Sequence, residues 1–264
     1  MPEGHTIHRL ALDHFGLFGG HPVAASSPQG RFDAGAALIN GRVLTGTDAF
    51  GKHLFHDYGG TLLHVHLGLY GSFRQGPGSA PAPRGAIRLR LVSDGGWAEL
   101  RGATTCEVVT VDEQRRLLLR LGPDPLRPKA DAEQVRSRLA RSRTPLAAAL
   151  MDQTVLAGVG NAYRAEILFR HRLDPFAPAS TLSGPDFELL WTDLVTLMRA
   201  GVKANRIVTT LREHRDSPRG PASDADQYYV YRRAALPCRV CGTPVAVTEV
   251  ATRRLYWCPA CQAG

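Results

Sequence analysis

Several features that mark common protein classes are absent from this sequence. No apolar run reaches the length of a transmembrane helix, and the first residues lack the apolar core of a signal peptide. Cys106 is the only cysteine before the last 27 residues, and this distribution argues against a disulfide framework. Lysine is also scarce, because Arg supplies nearly all of the 32 basic residues. These absences predict a cytosolic protein in a reducing compartment, associated with the nucleoid if the source is bacterial.

The charge of the chain is its most unusual global property. Its 264 residues carry a formal net charge of +8 and a pI near 9.6, whereas 44% hydrophobic and 21% charged residues are ordinary for a folded protein. Such a length suits two domains with a small appendage. The basic balance favours a polyanionic partner such as nucleic acid, and charge alone leaves an anionic membrane surface open.

The patterns along the chain change twice. Residues 3–15 have apolar positions at helical spacing, and residues 20–120 contain short alternating strands broken by Gly and Pro, which predicts a sandwich or barrel. The Pro-rich stretch 121–131 is typical of a linker, and helical patterns follow it. Residues 212–227 are polar and rich in Pro and Gly, which predicts a mobile loop.

Four cysteines near the C-terminus have the spacing of a metal site. Two C-x2-C pairs are separated by sixteen residues, a length that a hairpin spans. Four thiolates suit a closed tetrahedral site, in which the metal is structural because no position is left for water. We therefore predict one structural Zn²⁺, held by Cys238, Cys241, Cys258 and Cys261.

Two further motifs are suited to phosphate. Arg253 falls near the tip of the predicted zinc hairpin, where it is either a groove or phosphate probe or a solvated basic turn. Gly158 and Gly160 precede Asn161 at the start of a predicted helix, whose free amides form an anion site. A tight turn between helices is the alternative, and the basic chain favours a helix–turn–helix variant that grips a DNA phosphate.

The first residues after Met1 are unusual for an N-terminus, which is commonly frayed and tolerant of change. Pro2 offers a secondary amine and Glu3 a carboxylate in immediate succession. Lys52 lies beside Gly51 at a predicted strand start, where an exposed surface lysine is the commonest alternative.

Leu69 and Tyr70 stand between two glycines in a strand–turn setting. They either fold back into the core or are presented to a partner, where they would act as a wedge beside an extruded nucleotide. His64 and His66 share a strand face, and we predict no second metal there.

Taken in their order along the chain, these motifs resemble the Fpg/Nei family of bifunctional DNA glycosylases, and its endonuclease VIII (Nei) branch most closely. The resemblance spans almost the whole chain, through "PEG", "GKHLFH", "LYG", "GVGNAYRAEILF", "VYRRAALPCRVCG" and "CPACQ". It implies an α+β fold with an N-terminal helix plus β-sandwich domain, then an α-helical helix–two-turn–helix domain with a C-terminal zinc ribbon. The expected domains are residues 1–122, 130–230 and 231–264.

The resemblance also implies a role for each motif. Once Met1 is removed, Pro2 would attack C1′ of a damaged nucleotide, form a Schiff base and cleave the strand by β,δ-elimination. Glu3 would donate and accept protons, and Lys52 would act as a proton donor or phosphate contact. Leu69 and Tyr70 would fill the space left in the base stack by the extruded nucleotide. Asn161 and Arg253 would bind phosphates, and Arg101 would contact the opposite strand. The implied partner is damaged DNA, double-stranded, single-stranded or in a bubble, bound by a monomer without a membrane.

The chain departs from the family at a few positions. His5 and Thr6 replace the second Pro-Glu of the family's N-terminus, and Gly68 replaces a common Gln before the wedge. An Arg-x-Phe intercalating pair is not evident in residues 99–109, which favours oxidised pyrimidines over 8-oxoguanine. Two alternatives remain: a non-catalytic protein that binds damaged or branched DNA, and a zinc-ribbon protein that binds RNA or the ribosome.

Overall fold

The computed structural model describes residues 2–263 and divides into two compact units, Met1–Arg120 and Leu121–Gly264. Each unit has its own apolar core. The stretch 121–131, expected as a linker, belongs to the second unit: Gly122 N donates to Gln153 O at 2.8 Å, and Ala157 N donates to Pro123 O at 3.0 Å. The finer division into three domains stays a prediction. None of the helices between residues 2 and 263 has both the length and the apolar character needed to cross a bilayer.

The first unit begins with a helix and continues as two antiparallel sheets. Its helices are α1 (Gly4–Phe18), α2 (Asp33–Ile39) and α3 (Val111–Leu118). Its strands are β1 (Pro22–Ser26), β2 (Arg42–Val43), β3 (Gly46–Phe50), β4 (His53–Asp57), β5 (Leu62–His66), β6 (Ser72–Pro77), β7 (Leu89–Ser93), β8 (Gly96–Arg101) and β9 (Thr105–Val109). Within residues 2–263 the strand orders are β2-β1-β7-β8-β6 and β3-β4-β5-β9.

The two sheets share one core, as a sandwich requires. Leu91 and Leu100 from the first sheet belong to the same buried cluster as Leu54 and Val65 from the second. Helix α1 adds its apolar stripe to that cluster, including the fully buried Phe18. The predicted helix and sandwich are confirmed by the structure.

Strand β5 differs from its expected pattern. Alternation in the sequence predicts one polar face, yet His64 is as buried as Leu63 and Val65 beside it. The His64 ring stacks on Phe55 of β4, with ring centroids 4.9 Å apart. This face of the sheet is therefore covered, and its histidines are held by protein partners.

The second unit is helical and ends in a hairpin. Its helices are α4 (Ala132–Ala140), α5 (Leu146–Ala149), α6 (Asn161–Arg170) and α7 (Gly184–Ala204), and its strands are β10 (Ala246–Val250) and β11 (Arg253–Trp257). Helix α7 is capped at its N-terminus, because the Ser183 side chain accepts from Asp186 N. The N-cap residue of helix α5 is Pro145. Residues 212–227 contain a short 3-10 helix, Arg212–His214, and a buried Asp226, so part of this predicted loop is well anchored.

Candidate active site and zinc centre

A small pocket lies at the N-terminus of the first unit. It is lined by Pro2, Lys52 and His66, together with Ile7, Leu67 and Gly68. Pro2 and Lys52 are both half-buried, and Lys52 sits in the turn that leads into β4. The fold therefore brings together two residues that lie fifty positions apart in the sequence and that were both predicted as catalytic. His66 at the end of β5 was missed, and its place beside the "LYG" motif is the signal that could have found it.

Glu3, the third predicted catalytic residue, is buried and occupies the N-cap position of α1. Its carbonyl oxygen accepts from Thr6 N at 2.9 Å, which fixes the start of the helix directly behind Pro2. The neighbouring His5 is also buried, and that burial lowers its pKa to about 4. At the position where this chain departs from the N-terminal motif of the family it resembles, the structure thus has a neutral imidazole. Removal of Met1 concerns a residue outside the described part of the chain.

The "LYG" segment forms an exposed turn. Gly68 has φ +67°, a left-handed conformation that favours glycine, and Gly71 N donates to Leu67 O at 3.0 Å. Tyr70 is 87% exposed and Leu69 39% exposed, so neither side chain folds back into the core. Of the two alternatives left open by the sequence, this geometry favours presentation to a partner.

Asn161 stands at the start of α6, but its side chain is not a free surface amide. It is buried, its Nδ2 donates to Arg254 O at 2.8 Å, and its Oδ1 accepts from Arg164. Arg164 also donates to Arg254 O at 3.3 Å. Asn161 therefore ties α6 to the zinc hairpin, and a phosphate contact would use its remaining N–H. This phosphate contact stays a prediction.

The other two predicted DNA-binding arginines have different surroundings. Arg253 is the first residue of β11, paired with Val250 across a two-residue turn, and its side chain is half-buried. Arg101 at the end of β8 donates to Glu99 Oε2 at 2.8 Å and to Arg84 O at 2.9 Å. The guanidinium of Arg101 is thus already engaged by a buried carboxylate, which reduces what it offers to DNA.

The four predicted zinc ligands converge in the second unit. Their sulfur atoms all lie within 4.8 Å of one another, and within the described chain no other group of three or more potential ligands does so. The Cys238–Cys261 Sγ distance is 3.9 Å and the Cys241–Cys258 distance 3.5 Å. Sulfur atoms about 2.3 Å from a tetrahedral zinc stand about 3.8 Å apart, so the donor set fits the ion. Hydrogen bonds from Thr243 lower the pKa of Cys241 to about 6, whereas burial raises the pKa of Cys258 and Cys261.

Glu166 is a further residue that the sequence did not single out. It is fully buried in α6 and its carboxylate accepts from the backbone N atoms of Tyr229, Val230 and Tyr231, at 2.7–2.8 Å, and from the Thr209 hydroxyl. Burial raises its pKa, and these four donors offset part of that rise. Glu166 thereby fixes the segment that leads into the zinc ribbon. A lone Glu within the apolar string "AEILF" was the available signal.

Two family models match the second unit. The formamidopyrimidine-DNA glycosylase H2TH domain matches residues 121–213, and the zinc finger found in Fpg and isoleucyl-tRNA synthetase matches residues 235–264.

Curated relatives and solved structures match nearly the whole chain. Endonuclease 8 1 of Mycobacterium tuberculosis (strain H37Rv) is 49% identical over 99% of this chain and 100% of its own length. The crystal structure of the Fpg protein of Thermus thermophilus has a TM-score of 0.79 at 31% identity, over 99% of this chain and 98% of that one. Lactococcus lactis Fpg in complex with DNA that contains an abasic site has a TM-score of 0.82 at 21% identity, over 99% of this chain and 100% of that one, and so shares the fold.

These matches agree with the fold and the four-cysteine centre described above. The chain belongs to the Fpg/Nei family of bifunctional DNA glycosylases, which are DNA glycosylase/AP lyases.

Proposed function

We propose that this protein excises oxidised bases from DNA, pyrimidines in preference, and cleaves the strand at the resulting site. The proposal rests mainly on the pocket that Pro2 shares with Lys52 and His66, with the buried Glu3 next in the chain. A secondary amine, a cation for phosphate and a carboxylate are the groups that this chemistry needs in one place.

In the proposed reaction, Met1 is removed and the Pro2 nitrogen forms a bond to C1′ as the C1′–base bond breaks. Glu3 supplies a proton for opening of the sugar ring and for the departing base. The iminium formed on Pro2 makes the 2′ proton acidic, so its removal breaks the 3′ C–O bond and a δ-elimination then breaks the 5′ bond. General acid–base assistance of this kind contributes about 10²–10⁴-fold to the rate.

Damaged DNA is the proposed partner, bound by a protein monomer with one structural zinc ion. Tyr70 and Leu69 are exposed on a tight turn, as residues that fill the place of an extruded nucleotide must be. Arg253 on the zinc hairpin and the amides at the start of α6 are the proposed phosphate contacts. In this proposal, the exposed wedge opens the duplex while the basic groups hold its backbone.

Borohydride trapping on DNA with an abasic site tests the chemistry. The native protein is expected to give a covalent adduct, whereas Pro2→Gly and Glu3→Gln variants give little or none. A native protein that binds this DNA without forming an adduct would instead favour the non-catalytic alternative. Thymine glycol, dihydrouracil and 8-oxoguanine duplexes compared in single turnover test the preference, with the two pyrimidine lesions expected to be excised faster.

A further inference from the structure

Two histidines and a glutamate in the first unit form a continuous hydrogen-bonded series that the proposed function does not use. His53 Nδ1 lies 2.9 Å from His64 Nε2, and His64 Nδ1 lies 2.9 Å from Glu107 Oε1. The series crosses three adjacent strands, β4, β5 and β9, whose register pairs His64 directly with Glu107. It is therefore fixed by the sheet.

The glutamate at one end sets the direction of every hydrogen bond in this series. A carboxylate only accepts, so His64 donates its Nδ1–H to Glu107 and presents a lone pair at Nε2. His53 must then donate its Nδ1–H to that lone pair, which leaves His53 Nε2 as the nitrogen able to accept a proton. Burial lowers the pKa of both imidazoles, that of His53 to about 3, so each ring is neutral at rest.

The two ends of the series lie in different surroundings. The Glu107 side chain is 52% exposed, whereas that of His64 is only 3% exposed. At the other end the His53 ring lies 4.9 Å from the His66 ring, and His66 lines the pocket with Pro2 and Lys52. The series thus runs from an exposed carboxylate, along one face of the sheet, to a ring beside His66, which lines the pocket.

We propose that His53, His64 and Glu107 are a proton relay that connects the N-terminal pocket with solvent. A proton lost by the Pro2 ammonium passes by way of His66 to His53 Nε2. His53 then releases its Nδ1 proton to His64 Nε2, and His64 in turn releases its Nδ1 proton to Glu107 Oε1. One proton enters and one leaves each ring, so the net result is one proton moved from the pocket side to an exposed carboxylate.

The charges around the relay favour movement in this direction. The neighbours of His53 lower its pKa and so disfavour a positive charge on its ring; in order of size they are His66, His64, Arg120 and Lys52. Glu107 faces His64 and favours a positive charge there. A proton that arrives at His53 is therefore driven towards Glu107.

The relay can carry a proton in either direction, which suits a reaction that both releases and consumes a proton. After one transfer both rings hold the opposite tautomer, and they return to the starting state when a proton travels back from Glu107. The Pro2 ammonium must lose a proton before it attacks, and the departing base must gain one. This inference rests on the proposed function, because the reaction at Pro2 releases the first of these protons and consumes the second.

The test uses Glu107→Gln, which keeps an acceptor oxygen for His64 but cannot take a proton. Single-turnover cleavage of abasic-site DNA in dilute buffer is expected to slow about 10-fold, less than the 10²–10⁴-fold of a direct acid or base. Added imidazole at constant ionic strength is expected to restore the rate, because a soluble base replaces the blocked exit. His64→Phe, which keeps the ring stacked on Phe55, is expected to slow in the same way.

The matched control is Asp94→Asn, an exposed acid in the same unit whose amide variant should react at the native rate. A native rate for Glu107→Gln, or a slow rate that imidazole leaves unchanged, would overturn the relay while native trapping upholds the proposed function. Absence of trapping by the native protein would instead overturn the proposed function.

Histidine ¹H–¹⁵N correlation spectra test the relay without any activity. They are expected to show protonated Nδ1 and unprotonated Nε2 in both His53 and His64. The opposite tautomer in His64 would overturn the relay whatever the kinetics.

Discussion

The first unit buries neutral imidazoles that hydrogen-bond to one another, and the second unit buries a carboxylate and a guanidinium that hydrogen-bond to the backbone. In the first, His14 Nδ1 lies 2.9 Å from His56 Nε2, and both rings are fully buried. In the second, Glu166 accepts from three consecutive backbone amides, and Arg164 donates to carbonyls. Neutral pairs respond to pH, while buried charges depend on the segments that supply their partners.

Removal of a zinc ligand is expected to have the largest effect, and only in the second unit. In Cys258→Ser we expect loss of bound zinc and of DNA affinity together, because a structural zinc contributes about 10–16 kcal/mol in isolated fingers. Metal analysis of the purified protein and a DNA-binding titration measure both. Cys106→Ser, which changes the buried cysteine of the first unit, should keep its zinc. Full zinc content in Cys258→Ser would show that the ligand assignment is wrong.

Loss of the buried carboxylate of the second unit should have the next largest effect. Glu166→Ala leaves three backbone amides and the Thr209 hydroxyl without their acceptor, and we expect a loss of about 3–5 kcal/mol in the free energy of unfolding. Urea unfolding measures the loss. The control Glu188→Ala removes an exposed carboxylate of α7 and should change stability by less than about 0.5 kcal/mol. If Glu166→Ala and Glu188→Ala were equally stable, the buried carboxylate would not stabilise the second unit as described.

Mild acid should separate the units without mutation. Burial lowers the pKa of His14 to about 4. Below about pH 6.5 His14 therefore becomes protonated in the unfolded chain but stays neutral in the folded protein. The contribution of His14 to the free energy of unfolding is therefore fully present above pH 6.5, and it falls by about 2 kcal/mol between pH 6.5 and 5.

In the second unit, burial raises the pKa of Asp193, but hydrogen bonds from His171 and Arg170 hold it below its usual range. Its contribution is therefore still present at pH 5. Hydrogen exchange of the whole chain, corrected for intrinsic rates, should show β4 and β5 losing protection before α6. A His14→Phe variant should lessen this loss, and equal loss in both units would contradict the comparison.

The smallest predicted difference concerns two arginines, one in each unit. Arg253→Ala should lower the slope of log affinity against log salt by about one, as loss of one phosphate contact does. Arg101→Ala should change the slope less, because Glu99 already holds its guanidinium. DNA-binding titrations at several salt concentrations measure both slopes. A larger change for Arg101 would reverse the assignment of the phosphate contacts.

Local sequence patterns were sufficient where one segment decides its own structure. The apolar stripe of α1, the Ser183 cap of α7 and the hairpin between the cysteine pairs all involve neighbours within about twenty residues. Burial of His64 was not predictable in this way. The alternation of residue types along a strand predicts only which side of the strand a residue faces. Whether that side is covered depends on partners from other strands, such as Phe55 and Glu107.

The sequence by itself determined the four-cysteine cluster and the helix-plus-sandwich organisation, because fixed spacings and periodicities carry that information. Only the tertiary structure decided that Lys52 and His66 meet Pro2 in one pocket, and that Asn161 is held by Arg254, ninety-three residues away. It also decided that buried histidines join into directed series. Contacts between distant segments depend on how whole elements pack, and no single stretch of sequence specifies them.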